Sequence, residues 1–143
     1  MSAYVKYECF VGDLAGKVHD LLGTAGSGAD TLKVALTNSA PNVATHAVLA
    51  DITEIAAGNG YTAGGFSAAN VGSRSGGTFS IVCTDITVTA SGGAIGPFRY
   101  AVLYNSTAAG GPLVAYWDRG SAITLNDTDQ IVLDFGADVI ELS

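Results

Sequence analysis

The chain has 143 residues, with 6 Lys or Arg against 13 Asp or Glu and a formal charge of −7. That length fits one domain able to bury about 70% of its unfolded surface without disulfides or metals. Six scattered cations make no phosphate-binding patch, so no nucleic-acid partner is expected. No run approaches the ~18 apolar residues of a membrane span, so no membrane partner is expected either.

Nineteen glycines beside only 13% charged residues point to tight turns joining short apolar strands. Ten of the thirteen carboxylates are Asp, a residue that favours turns and caps by bonding nearby backbone amides.

Met1-Ser2-Ala3-Tyr4-Val5-Lys6 lacks a basic stretch followed by an apolar one, so no signal peptide is read and synthesis and folding in the cytoplasm are expected. Leu14, Val18, Leu21 and Leu22 recur at helical spacing, which predicts a short helix over 13–22 with Asp13 as cap and Gly23 as stop. Residues 23–30 read as a glycine-rich connector. The expected organisation is therefore an N-terminal segment, 1–30, ahead of a β-sandwich domain, 31–143.

Beyond the connector the period changes. Leu32, Val34 and Leu36 alternate with other residues as in a half-buried strand. Residues 38–60 are irregular, with Pro41 and a short helix expected over 51–57, where Ile52 and Ile55 would share a face. Gly58-Asn59-Gly60 and Gly64-Gly65 bracket Tyr61 as a turn, strand and turn with positive φ at the glycines.

Alternation then continues through Phe79, Ile81 and Cys83, through Ile86 and Val88, and through Phe98, Tyr100, Val102 and Tyr104. It resumes at Leu113, Ala115 and Trp117, at Ile123 and Leu125, and at Ile131, Leu133 and Phe135. The turns between are read at Ser91-Gly92-Gly93, Ala109-Gly110-Gly111, Arg119-Gly120 and Asn126-Asp127-Thr128-Asp129. Seven or eight such strands predict an all-β fold: a single antiparallel β-sandwich or jelly roll with a short N-terminal helix.

Motifs for catalysis do not form. Gly72-Ser73-Arg74-Ser75-Gly76 misplaces the serines of a nucleophile elbow, and neither Gly16-Lys17-Val18 nor Gly26-Ser27-Gly28 completes a phosphate or dinucleotide loop. His19 and His46, without a neighbouring Cys or acidic cluster, are expected to face solvent or to hydrogen-bond. Cys9 and Cys83 are far from zinc-ligand spacing and read either as small buried residues or as a disulfide.

Asp127, Asp129, Asp134 and Asp138 lack the spacing of a calcium loop and read as turn residues. Glu8, Glu54 and Glu141 are too separated in sequence to judge as a glycosidase pair. The sequons at Asn105 and Asn126 carry no meaning without a secretory route. No enzyme activity, cofactor or metal is therefore expected.

Trp117 and Tyr104 are expected between sheets, with Tyr116 outward as a candidate sugar platform. Asn59, Tyr61, Arg74 and Tyr116 are the candidate partner contacts, and the 72–77 loop and the N-terminal segment are expected to fit neighbouring surfaces.

Several strings carry a resemblance. They are residues 30–38 (DTLKVALTN) with 40–46 (APNVATH), 52–65 (ITEIAAGNGYTAGG) and 96–105 (GPFRYAVLYN). The closing 112–118 (PLVAYWD) and 134–136 (DFG) fit as well. With these the chain resembles a family of small tailed-bacteriophage structural proteins, over most of its length from about Leu14 onward. The resemblance implies a virion component, and for a one-domain β protein it implies capsid decoration, or cement. The implied partners are the major capsid protein and further copies of the chain, on the outer capsid surface. A host-glycan module of a tail fibre or baseplate is the alternative.

Overall fold

The computed structural model describes residues 3–22, 29–136 and 139–142. It is an all-β fold with one short α-helix among the described residues. The strands are β1 (Val5–Lys6), β2 (Leu32–Thr37), β3 (Phe66–Ser67), β4 (Val71–Ser75), β5 (Thr78–Val82), β6 (Ile86–Thr89), β7 (Ile95–Asn105), β8 (Leu113–Leu125), β9 (Gln130–Leu133) and β10 (Ile140–Leu142), with helix α1 at Cys9–Ala15. Among the described residues ten strands stand where seven or eight were expected: the short β1, β3 and β10 and the strand β4 left no readable period, the runs at 113–117 and 123–125 are one strand, β8, and no strand forms at Tyr61.

One layer is a five-stranded antiparallel sheet in the order β1-β8-β7-β2-β3. The other consists of a three-stranded sheet, β10-β5-β4, and a two-stranded ladder, β6-β9. These two pieces follow one another along the chain, since β5 leads into β6 and β9 leads towards β10. The Phe135 N–H donates to Asp85 Oδ1 at 3.0 Å across the junction. At its other end the β6-β9 ladder continues the β7-β8 ladder around a corner, where Ala90 N–H donates to Asp129 O and Thr128 N–H donates to Ala90 O, both at 2.9 Å. The layers therefore share two long strand pairs that fold back on themselves.

Between the layers lies the main core, which joins Leu32, Val34, Leu36, Ile81, Cys83, Val88, Ile95, Phe98, Trp117, Leu133, Phe135 and Ile140 from all three sheets. The Trp117 and Phe135 rings meet with centroids 4.9 Å apart. A second cluster sits on the opposite face of the large sheet, where Tyr7, Ala35, Ile52, Val102, Tyr104 and Leu113 are covered by Val43 and Leu49 of the irregular excursion. With both faces covered, β2 is not the half-buried strand that its alternation suggests. Only Lys33 of its six residues escapes full burial.

Strand β8 runs through the expected turn at Arg119-Gly120. Asp118 pairs with Tyr100 and Ile123 with Phe98, so four residues of β8 stand opposite Arg99 alone and bulge outward, with Gly120 at φ 96°. A bulge inserts residues into one strand and leaves the ladder on either side intact. Tyr104 does not lie between the layers as expected, because past the bulge β7 alternates with Ala101 and Leu103 towards the main core and Val102 and Tyr104 away from it. It belongs to the second cluster, where its hydroxyl donates to Gly64 O at 2.5 Å.

The helix also differs. It ends at Gly16, whose N–H donates to Gly12 O at 2.8 Å, and Lys17 adopts φ 64°. Phe10, fully buried in the main core, sets its register. Val18 and Leu22, assigned to an apolar stripe over 13–22, stand 38% and 53% exposed. Asp13 lies inside the helix instead of capping it, and the expected stop at Gly23 falls outside the described residues, as does connector segment 23–28. The N-terminal segment packs on its own body: β1 pairs with β8 at the sheet edge, and Tyr7 is fully buried.

In the excursion, a 3-10 turn at Leu49–Asp51 stands where a helix over 51–57 was expected. Asp51 Oδ2 accepts the N–H groups of Ala47 and Val48 at 2.8 and 3.1 Å, which holds the entry of this turn, and Ile52 after it is already extended. The chain then runs extended beside β2, where Ile55 N–H donates to Leu36 O at 3.0 Å. Ile52 and Ile55 consequently serve different clusters.

The glycine turns at 58–65 match the expectation, with Gly58, Gly60, Gly64 and Gly65 all at positive φ. Tyr61 between them, selected as a contact residue, is only 2% exposed. Its hydroxyl donates to Glu54 Oε2 at 2.6 Å and accepts the Leu36 N–H at 3.0 Å, and Gly64 N–H donates to the same Glu54 oxygen at 2.8 Å. Tyr61→Phe leaves a buried N–H and a carboxylate short of a partner. The variant is expected to lose about 1–3 kcal/mol in chemical denaturation, with its secondary structure retained by circular dichroism.

The 72–77 stretch is not a loop either. Gly72 to Ser75 belong to β4 and only Gly76 and Gly77 form the turn to β5. The close approach that glycine permits here is internal, because a Cβ on Gly72 would lie 2.2 Å from Leu21 O.

Candidate interaction face

The chemistry-bearing side chains that remain accessible gather on the outer face of the large sheet. In the β7-β8 ladder Val102 stands opposite Tyr116 and Tyr100 opposite Asp118. Residues two apart share a face, so Tyr100 and Tyr116 become diagonal neighbours, with ring centroids 6.1 Å apart and an interplanar angle of 73°. Tyr7, just beyond β1, extends the row, its ring centroid 5.8 Å from that of Tyr116. Edge-to-face contacts of this kind place the positive rim of one ring on the negative face of the next.

Arg99 closes the row. Its Cζ lies 5.2 Å from the Tyr100 centroid, while Nε and Nη2 donate to the two Asp118 oxygens at 2.7 and 2.9 Å. This two-pronged pair is 38% and 36% exposed. The Arg99 hydrogen bonds, helped by the Gly120 N–H, hold the Asp118 carboxyl below its ordinary range, and the same bonds raise the arginine. Water screens such a pair strongly, so its value lies in fixed geometry more than in stability. Tyr7, by contrast, is buried with no hydrogen-bond partner for its hydroxyl, and burial pushes its ionisation up.

Aromatic faces beside a planar donor and acceptor pair can bind a polar ligand or a protein surface by stacking and paired hydrogen bonds. Among the described residues no group of three or more His, Cys, Asp and Glu is placed to hold a metal ion.

The residues selected from sequence are scattered. Tyr116 lies in this face, half-buried. Arg74 is exposed on β4 in the other layer, its Nη1 donating to Gly76 O at 2.8 Å. Asn59 is exposed at a turn, with φ 58° and Nδ2 donating to Ala94 O at 2.9 Å. Tyr61 is interior. Tyr100, Arg99 and Asp118 were missed, because the bulge hides the alternation around Arg99. A count outward from the hairpin could not have found them, since the end pair Tyr104 and Leu113 would set Tyr100 opposite Trp117, and only the extra residue Val114 brings Asp118 there.

The other candidates have structural roles. Both cysteines are free thiols, and burial pushes Cys83 up to about 12. Asp127 Oδ1 accepts the Gly92 N–H, Asp129 Oδ2 that of Asn126, and Asp134 Oδ1 that of Gly136. Asp138 lies outside the described residues. Glu54 is held by Tyr61 and Gly64, whereas Glu8 and Glu141 are exposed. His46 Nδ1 accepts the Asn42 N–H at 3.1 Å.

His19 does not face solvent. It is buried against Phe10, ring centroids 5.2 Å apart. The Asn105 amide is oriented by its oxygen, which accepts from Thr107 and Ala108 N–H, so its Nδ2 donates to Asp30 Oδ2 at 2.7 Å and to His19 Nδ1 at 3.0 Å. His19 must then carry its proton on Nε2, which is buried without a partner. Asn105, fully buried in this network, is no glycan acceptor.

Burial lowers the His19 pKa from 6.5, against the smaller opposing effects of Asp13 and Asp30. A base depressed on folding contributes stability that is complete above its unfolded pKa and lost as pH falls below it. Urea midpoints are therefore expected to drop below pH 6.5, with a slope of up to about 1.4 kcal/mol per pH unit, and His19→Gln should flatten that profile. Asp118 and Asp51, lowered from 3.8, act only below that value and leave the window to His19.

No family model, curated protein or solved structure matches the chain. Among the described residues, no helix is long and apolar enough to cross a membrane.

Proposed function

We propose that the chain is a capsid decoration, or cement, protein of a tailed bacteriophage. In this role it is a non-enzymatic subunit that binds the outer surface of a shell built from a major capsid protein, beside further copies of itself, and stabilises the head. The observation that carries the reading is where the resembling strings fall. Residues 30–38 contain β2, 96–105 lie along β7 and 112–118 open β8, the three middle strands of one sheet. Residues 40–46 and 52–65 run in the excursion and glycine turns over and beside that sheet. Strings far apart in sequence thus build one continuous unit, as a shared scaffold would.

A cement subunit needs a rigid body and an accessible face that makes many modest contacts, because repetition over the shell multiplies them. The Tyr116, Tyr100, Arg99 and Asp118 face offers ring surface with fixed polar geometry. Its charge balance, like the net −7 of the chain, suits an outward position better than one against packaged DNA.

The test is imaging of particles assembled with and without the protein. Loss of a discrete density from the outer shell, rupture at lower temperature and restoration of both by added protein are expected. Density lost only from the tail would overturn the reading.

The same face favours a second reading, a host-glycan module of a tail fibre or baseplate, since stacked rings beside an Arg-Asp pair also suit sugar hydroxyls. A glycan array separates the two. Selective binding abolished by Tyr116→Ala supports the glycan module, and a cement protein binds none of the sugars.

A further inference from the structure

A cavity of about 210 Å³ opens at the side of the sandwich, lined by Phe98 to Ala101 of β7, Arg119 of the β8 bulge, and Ile131, Val132 and Leu133 of β9. The hollow touches three successive residues of β9, and it touches β7 where the β8 bulge stands opposite Arg99. The other edge of β9 is open, because β9 pairs with β6 alone among the described residues.

Strands at sheet edges usually carry a charge, a proline or a cover against unwanted pairing. Here β1 has Lys6 and β3 only two residues, β4 has Arg74, and β10 has Glu141. The end of β6 is packed by the glycine turn, with Gly60 close against Thr89 O. Among the described residues only β9, Gln130-Ile131-Val132-Leu133, has none of these devices, and Val132 is 51% exposed. Arg119 at the cavity has Nη1 steadied by Ser121 O and Oγ at 3.2 and 3.0 Å, and it forms no salt bridge among the described residues. Two of the six cations in this acidic chain, Arg99 and Arg119, thus border one apolar hollow.

We infer that the free edge of β9 docks an extended segment of a partner protein, one whose acidic side chain meets Arg119 while an apolar neighbour enters the cavity. Backbone bonds along β9 supply the pairing and the cavity supplies the choice of side chain. A second copy of this chain is disfavoured as occupant, since it would bring another −7 of charge. The inference rests on the strand edge and the cavity, and it holds whether or not the protein decorates a capsid.

The experiment is selection from a displayed random octapeptide library against the purified protein, followed by titration of the enriched peptides. Enrichment of peptides with one Asp or Glu among β-branched residues is expected. They should bind about tenfold more weakly to Arg119→Gln, as befits one lost charge-assisted hydrogen bond, and more weakly still to Val132→Lys. Both substitutions are at exposed positions, and unchanged thermal unfolding is the check that both variants fold. Absence of enrichment, enriched peptides without an acid, or equal binding by both variants overturns the inference. Self-association in sedimentation that Val132→Lys abolishes also overturns it, by giving the edge to a second copy.

Discussion

Trp117→Ala is expected to lower the unfolding free energy by about 3–5 kcal/mol, the largest effect of any single truncation in this core. The indole is 2% exposed and packs on Phe135, where β8 of one layer meets the segment just past β9 of the other. Removing it takes away apolar contact and leaves a void that two crossing ladders cannot close by shifting, because each is tied at the corner by the Ala90, Thr128 and Asp129 backbone bonds. Urea denaturation followed by circular dichroism measures the loss. A drop below ~1.5 kcal/mol would mean that the layers collapse onto the gap and are not pinned at that corner.

Gly65→Ala is expected to be more damaging than its single methyl suggests. Gly65 sits at φ +77°, and a Cβ there would lie 1.8 Å from Val34 O and 2.9 Å from the Ala35 Cα. Left-handed backbone alone costs a non-glycine residue about 1–2 kcal/mol, and the overlap with the β2 backbone adds to that. Relief requires the 62–65 turn to lift away, which pulls β3 off β2 and the Gly64 N–H off Glu54. Gly76→Ala is the control, since it shares a positive φ of +59° but meets nothing within 4 Å, and it should lose only the backbone part. Equal melting temperatures for the two variants would contradict the close approach.

How much of this was legible in the sequence depends on whether a segment keeps one period. Leu32, Val34 and Leu36, then Phe79 and Ile81, then Ile131 and Leu133 alternate cleanly, and each set is in a strand with those residues towards the core. The turns at 91–93, 109–111 and 126–129 were equally plain, because positive φ selects glycine there or, at Thr128, a residue stabilised by its neighbours. Illegible were the places where the chain changes face. Phe98 and Tyr100 look alike in the pattern, yet the bulge at 119–122 puts Phe98 in the main core and Tyr100 on the outer face. Leu113 and Ala115 are likewise separated by an extra residue, Val114. Nor could an alternating strand announce that its second face is roofed, as β2 is by residues 43–55.

The site was less visible than the fold. Tyr116 was readable as an outward aromatic, but its partners Tyr7, Tyr100 and the Arg99-Asp118 pair come from three separate stretches that only the ladder unites. Tyr61 misled because glycines on both sides imply an exposed tip, whereas they allow the turn to lie flat and bury the ring. The helix was displaced for a related reason. Leucine spacing over 14–22 is a local signal, and burial of Phe10 against strands more than a hundred residues away outweighs it.

The pairing of β5 with β10 has a consequence for how the protein is made. Phe79 to Ile81 wait for Ile140 to Leu142, and Val5 and Lys6 wait for Ala115 and Tyr116. At ~5–20 residues per second of ribosomal synthesis, several seconds separate each strand from its mate. During that interval the growing chain presents bare edges rich in Ile, Val and Phe, so chaperone demand should peak before residue 139 leaves the tunnel. A nascent chain stalled short of that point should be captured by holdases, and release of the last strand should set it free.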